Sequence, residues 1–180
     1  MSGLTLWRVD DAVHSHTLHR GGERIGEIRW NAMHAHILQL GEADYWLVHQ
    51  ESAAAVEAGG SLLSSVIGKL RLNRTYILRD GDTDLARATR HWKPLRNRDW
   101  IELHLPGGDA SLQAVPKGMF GGQIDLRRGV ETVGHVRVVG LWRNGVSLDC
   151  PGLPEPQAAL LMLAIQCAWG NDPFVRAPQP

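Results

Sequence analysis

Two histidine pairs come first among the residues that could do chemistry. His14-Ser15-His16 and His34-Ala35-His36 each space two imidazoles two residues apart. On a β-strand that spacing sends both rings of a pair to one side, and two such strands could present four metal ligands from a sheet. His14, His16, His34 and His36 would then make the chain a metal-dependent enzyme. The plainer expectation is a set of partly exposed strand histidines.

A basic run is the second constellation. Arg87, Arg90, His91, Lys93, Arg96 and Arg98 fall within twelve residues, with Trp92 and Trp100 interleaved. Pro94 and Asn97 predict a loop between strands. A basic loop with aromatics could meet lipid phosphates or nucleic acid. Asp84, Asp99 and Glu102 flank the run and dilute its potential. The alternative is a solvated, salt-bridged hairpin connection.

Other short patterns read as structure. Gly118-Met119-Phe120-Gly121-Gly122 lacks the GxxxxGK[ST] order of a phosphate loop and predicts a hairpin turn. Asp80-Gly81-Asp82-Thr83-Asp84 has no later bidentate glutamate at the EF-hand distance and predicts a tight β-turn. Glu23, seven residues after His16, gives only a faint likeness to a cupin metal motif, whose Gly/Pro-rich follow-up is missing. There is no GxSxG, and Cys150 and Cys167 are not in CxxC spacing, so two structural thiols in a reducing compartment are expected. No cofactor motif is present.

The elements that must position these residues are strands and one helix. In Trp100–Leu105, Ile101, Leu103 and Leu105 share one face while Glu102 and His104 share the other. Similar segments recur about a dozen times, separated by turn chemistry such as Gly21-Gly22, Gly41-Glu42, Gly81-Asp82 and Asn144-Gly145. The exception is Glu155–Trp169, which carries no charge after Glu155 and is apolar around its whole circumference. Such a helix must be buried on all sides. At about 22 Å it is too short for a bilayer core of about 30 Å. Pro154 and Glu155 suit its first turn, and Gly170-Asn171-Asp172-Pro173 stops it. The expected fold is mostly β: about a dozen short strands, in a barrel or sandwich, wrapped around a buried hydrophobic C-terminal helix and spanning residues 1–170, with a Pro-containing tail at 171–180. Glu51–Ser65, rich in Ala, Gly and Ser, predicts a short helix and loop.

A weak internal repeat runs through the strands. Glu23-Arg24-Ile25-Gly26-Glu27-Ile28-Arg29 resembles Glu131-Thr132-Val133-Gly134-His135-Val136-Arg137, and Asp82–Arg90 is a looser third copy. Each predicts the outgoing strand of a hairpin, with a small residue where a neighbour approaches closely.

Hairpins carrying Ile25-Gly26, Leu85-Ala86 and Val133-Gly134, followed by the apolar helix, resemble the tubby C-terminal superfamily, which includes LURP-one-related proteins and phospholipid scramblases. The resemblance covers residues 4–170 and rests on the order of elements. It implies a closed barrel of about twelve strands around a central helix. It also implies a lipid-directed role, since tubby domains bind phosphoinositides through a surface Lys/Arg pair, although no residue here aligns with that pair. The cysteine-rich, spanning and calcium-binding segments of scramblases have no counterpart, so scrambling is not implied.

Composition narrows the function. Nineteen Lys and Arg balance nineteen Asp and Glu, which disfavours a nucleic-acid partner. The opening MSGLTLWRVDD lacks a basic segment before an apolar core, so neither a signal peptide nor a transmembrane segment is expected, and the expected location is cytoplasmic. The chain reads as a non-enzymatic binding or scaffold protein, its partner an anionic phospholipid or another protein. The ligand-binding residues expected are Arg87, Arg90, Lys93, Arg96 and Arg98.

Overall fold

The computed structural model describes residues 3–9, 15–31, 35–51, 74–93, 98–108, 111–117, 123–139 and 145–169. Twelve strands form in chain order: β1 (Leu4–Arg8), β2 (His16–Arg20), β3 (Glu23–Asn31), β4 (Ala35–Leu40), β5 (Ala43–Glu51), β6 (Arg74–Asp80), β7 (Thr83–Lys93), β8 (Arg98–His104), β9 (Leu112–Lys117), β10 (Gln123–Arg128), β11 (Glu131–Val139) and β12 (Gly145–Asp149). Each pairs antiparallel with its sequence neighbours, and β1 pairs with both β2 and β12, which closes the barrel. Closure leaves no free sheet edge.

The helix α1 (Glu155–Trp169) lies inside. Its residues from Ala158 to Cys167 are all buried. They pack with Leu6, Leu18, Ile28, Leu38, Leu78, Leu103, Leu126 and Leu148 from strands around the barrel. Because the wall surrounds the helix, no side of it meets water, and the absence of an apolar stripe follows directly. Glu155 at its first turn is ion-paired to Arg20 at the end of β2.

The two barrel ends differ. Tight turns join β2–β3, β4–β5, β6–β7 and β10–β11 at the end where α1 enters. Gly21, Gly41, Gly81 and Gly129 there take positive φ of 54–63°, a conformation glycine adopts without steric cost. The β8–β9 connection lies at that same end, and those at the end where α1 stops fall largely outside the described residues.

The internal repeat has a structural cause. In three hairpins the register shifts at the same place: Leu18/His19, Leu78/Arg79 and Leu126/Arg127. Each shift is a β-bulge that leaves one outgoing residue without a cross-strand partner: Ile25, Leu85 and Val133. All three pack against the core. The next residue, Gly26, Ala86 or Gly134, faces a leucine of the incoming strand, so two consecutive residues crowd the inner side. At the two glycines a side chain would meet backbone, of Gln39 and of Asp149 respectively. The small residue is therefore a packing requirement. The three bulged hairpins recur every four strands around the barrel.

The outer wall is charged, with Glu27, Arg29, Arg87, Glu102, Arg127, His135 and Arg137 alternating against inward apolar residues. That is the reverse of a membrane-spanning barrel, whose outside is apolar. No helix among the described residues is long and apolar enough to cross a membrane.

Candidate functional site

Strand alternation divides the basic run. Arg87 and Arg90 are three apart on β7, so they leave opposite faces. Arg87 is opposite His104 on the outside, and Arg90 is opposite the fully buried Ile101 on the inside. At the mouth where α1 ends, the Nε and Nη2 of Arg90 donate to the two carboxylate oxygens of Asp99 at 3.0 and 2.6 Å. The Trp169 indole N–H donates to the same carboxylate at 2.8 Å. This is a bidentate, partly buried pair that ties the last helical turn to β7 and β8. Arg90 is thus committed to holding the helix and is not presented to a ligand. Lys93 is opposite Arg98 in the β7–β8 register. Arg96, and the loop predicted around Pro94 and Asn97, lie outside the described residues.

Arg87 lines an open groove of 540 Å³ with Asp84, Thr89, His104, Leu105 and Pro106. Its side chain is half-exposed, and the Asp84 carboxylate lies 3.4 Å from its guanidinium. Asp84 is held mainly by Arg79, whose Nε donates at 2.7 Å. The Arg79 hydrogen bond lowers the Asp84 pKa; burial opposes it, and Arg87 adds to it. The acidic turn read from Asp80, Asp82 and Asp84 is a tight β-turn, closed by that Arg79–Asp84 pair.

Beside the groove, Glu102 is a hub. It accepts a hydrogen bond from Ser111, and its Oε2 lies 3.2 Å from His91 Nε2 and 3.7 Å from His104 Nε2. His91 stacks on Trp100 at 4.9 Å between centroids. The Ser111 hydrogen bond lowers the Glu102 pKa against the opposing effect of burial, with His104 and His91 adding to the lowering. His104 therefore links the carboxylate hub to the groove, a link that sequence reasoning missed. Its signal was available: His104 shares a strand face with Glu102, two residues away. A second outer pair, His135 Nδ1 with Asp125 Oδ1 at 3.2 Å, sits on β10 and β11. At Asp125 burial acts to raise the pKa, but Arg127 and His135 outweigh it and the net shift is downward.

The histidine constellation takes a different form from the one expected. His14 and His34 lie outside the described residues. His16 and His36 are buried at 7% and 2% exposure, not partly exposed. Both point inward, because each keeps the parity of the core residues Leu18 and Leu38 on its strand. β3 separates them: His16 is opposite Ile28 and His36 opposite Trp30. Among the described residues no three His, Cys, Asp or Glu are placed to hold a metal ion. Cys167 is buried, and burial raises the Cys150 pKa despite Arg128, so Cys150 is a poor nucleophile.

No protein-family model, curated protein or solved structure matches this chain.

Proposed function

We propose that the protein is a non-enzymatic binding module of the tubby-like type that docks on anionic phospholipid head groups through the outer face of the β7–β8 hairpin. The observation that carries this is the groove at Arg87. The half-exposed Arg87 guanidinium and the His104 imidazole are cross-strand neighbours on one face, and they line the groove together with Thr89 and Asp84. A phosphate accepts from all three donor types. Lys93 and Arg98, at partner positions in the register further along the hairpin, add two cations to its sequence. The cytoplasm is the proposed location, because anionic lipid faces that side of membranes.

The test is flotation with neutral and phosphoinositide-containing liposomes at two salt concentrations. Wild type would run beside a variant with Arg87, Lys93, Arg96 and Arg98 changed to serine; Arg90 stays, because it holds the helix. Salt-sensitive binding to the anionic liposomes alone, lost in the variant, is the expected result. Binding to neither liposome would refute the reading.

A further inference from the structure

Of the described residues that line the groove, Asp84, Arg87 and His104 are ionisable. Arg87 stays cationic at any ordinary pH. Asp84, its pKa lowered by the Arg79 hydrogen bond, stays anionic near neutrality. The imidazole is the group among them whose charge changes between about pH 5 and 8. His104 is opposite Arg87 in the β7–β8 register and on the same face. Directly opposed residues have Cβ atoms about 5 Å apart, close enough for one phosphate to accept from both side chains.

Charged groups face His104 from several elements. On β7 stand Arg87 and, beyond it, Asp84, which is held by Arg79 of β6. Asp80 and Asp82 are exposed at the β6–β7 turn. On its own strand Glu102 lies 3.7 Å from His104 Nε2, and its lowered pKa keeps it a carboxylate near neutrality. Toward β9, uncharged Gln113 is opposite Glu102, and Arg127 of β10 follows, paired with Asp125. Asp109 lies outside the described residues. His91 is turned to Glu102 and to its stack on Trp100. While His104 is neutral, Arg79 and Arg87 only match Asp84 and Glu102, and the turn carboxylates tip the surroundings negative. An anion in the groove then has Arg87 alone against an opposing field. Protonation of His104 sets a second cation beside Arg87.

We infer that anion binding in the groove is coupled to a proton: a phosphate-type oxyanion is held between the Arg87 guanidinium and a His104 imidazolium, and its binding takes up a proton at His104. The inference rests on the groove reading above and adds its regulation, since docking strengthens on acidification. The coupling is reciprocal: an anion that favours the imidazolium is favoured by the proton to the same degree. A lipid head group and a small free anion share this chemistry, and the two are separated by experiment.

The experiment uses the full chain and two probes. Flotation takes vesicles of neutral lipid with and without phosphatidylglycerol, whose phosphodiester charge is constant between about pH 5.5 and about pH 8. Calorimetry with inorganic sulfate, in two buffers of different ionisation enthalpy, counts the protons taken up with a free anion. Wild type should bind the anionic vesicles about tenfold more tightly at the acid end than at the alkaline end, the equivalent of one pKa unit of linkage. His104→Gln should flatten that dependence. His104→Lys, permanently charged, should bind at the alkaline end as wild type does at the acid end. His135→Gln controls for general charging of the protein, since His135 is 48% exposed beside Asp125 as His104 is 54% exposed beside Glu102; it should keep the wild-type profile. Equal binding at both ends, or a dependence that His135→Gln reduces as much as His104→Gln, would overturn the coupling and leave the groove reading in place. Sulfate binding with proton uptake, without vesicle binding at any pH, would uphold the coupling and overturn the lipid reading. Binding of neither probe at any pH would overturn both.

Discussion

Gly134→Ala tests whether the bulged hairpins are packed as tightly as they look. A Cβ at this position would fall 2.5 Å from the Asp149 carbonyl oxygen and within 2.9–3.0 Å of the Cβ and Cα of Cys150. A carbon–oxygen contact needs about 3.3 Å, so the end of β12 would have to retreat by roughly 0.8 Å. Two of the three obstructing atoms are backbone, and the third is a Cβ, so no flexible side chain can swing away. Overpacking of this kind costs about 1–3 kcal/mol. The more restricted unfolded chain offsets about 0.4–1 kcal/mol of that. A net loss of about 1–2 kcal/mol corresponds to a Tm lower by about 2–8 °C for a chain of this size. The control is Ala86→Gly in the second hairpin, where the methyl is already accommodated and buried; there the loss comes from the flexible residue and the missing methyl, about 1 kcal/mol. Thermal melts by circular dichroism, repeated with urea, would read both. A Gly134→Ala protein as stable as wild type would show that close approach does not dictate the small residue.

Two further perturbations reach the core and the carboxylate hub. Leu161, fully buried in α1, when changed to Asp would bury an unpaired charge costing several kcal/mol against a total stability of about 5–15 kcal/mol; loss of the cooperative melt is expected, and a near-wild-type melt would refute the buried helix. Glu102→Gln should cost about 1–2 kcal/mol at pH 7 by weakening charge-assisted hydrogen bonding. Because the folded pKa of Glu102 is lowered, its stabilisation is present above the unfolded value of about 4.3 and is lost as pH falls through the folded one. The stability gap between variant and wild type should therefore close below about pH 4, and a gap constant from pH 7 to pH 3 would show that Glu102 ionisation contributes nothing.

The barrel was legible because its two signals are independent. Period-two segments with glycine turns specify antiparallel neighbours. A helix with no polar face, in a chain of half-buried strands, has only one place to go. The repeat was legible as a pattern, but its cause was not. Whether Gly26 and Gly134 mark bulges depends on register, and register is a relation between strands that no single segment states. The inward turn of His16 and His36 shows the same limit. Their parity relative to Leu18 and Leu38 was readable, but only the closed barrel makes that parity mean burial.

The basic run shows how far a linear cluster differs from a surface. Six cations and imidazoles in twelve residues look like one site, yet the strand period divides them: Arg87 goes to the groove, while Arg90 goes inward to Asp99 and the helix end. The spacing of three already separated the two faces once the segment was taken as a strand. The apolar runs of β5 and β6 left a subtler trace. Tyr45-Trp46-Leu47-Val48 and Tyr76-Ile77-Leu78 are the places where alternation gives way to unbroken apolar runs. In a barrel filled by its own helix, the inner face accounts for Tyr45, Leu47, Tyr76 and Leu78. Trp46, Val48 and Ile77 are the remainder, and β5–β6 pairing joins that remainder into one patch.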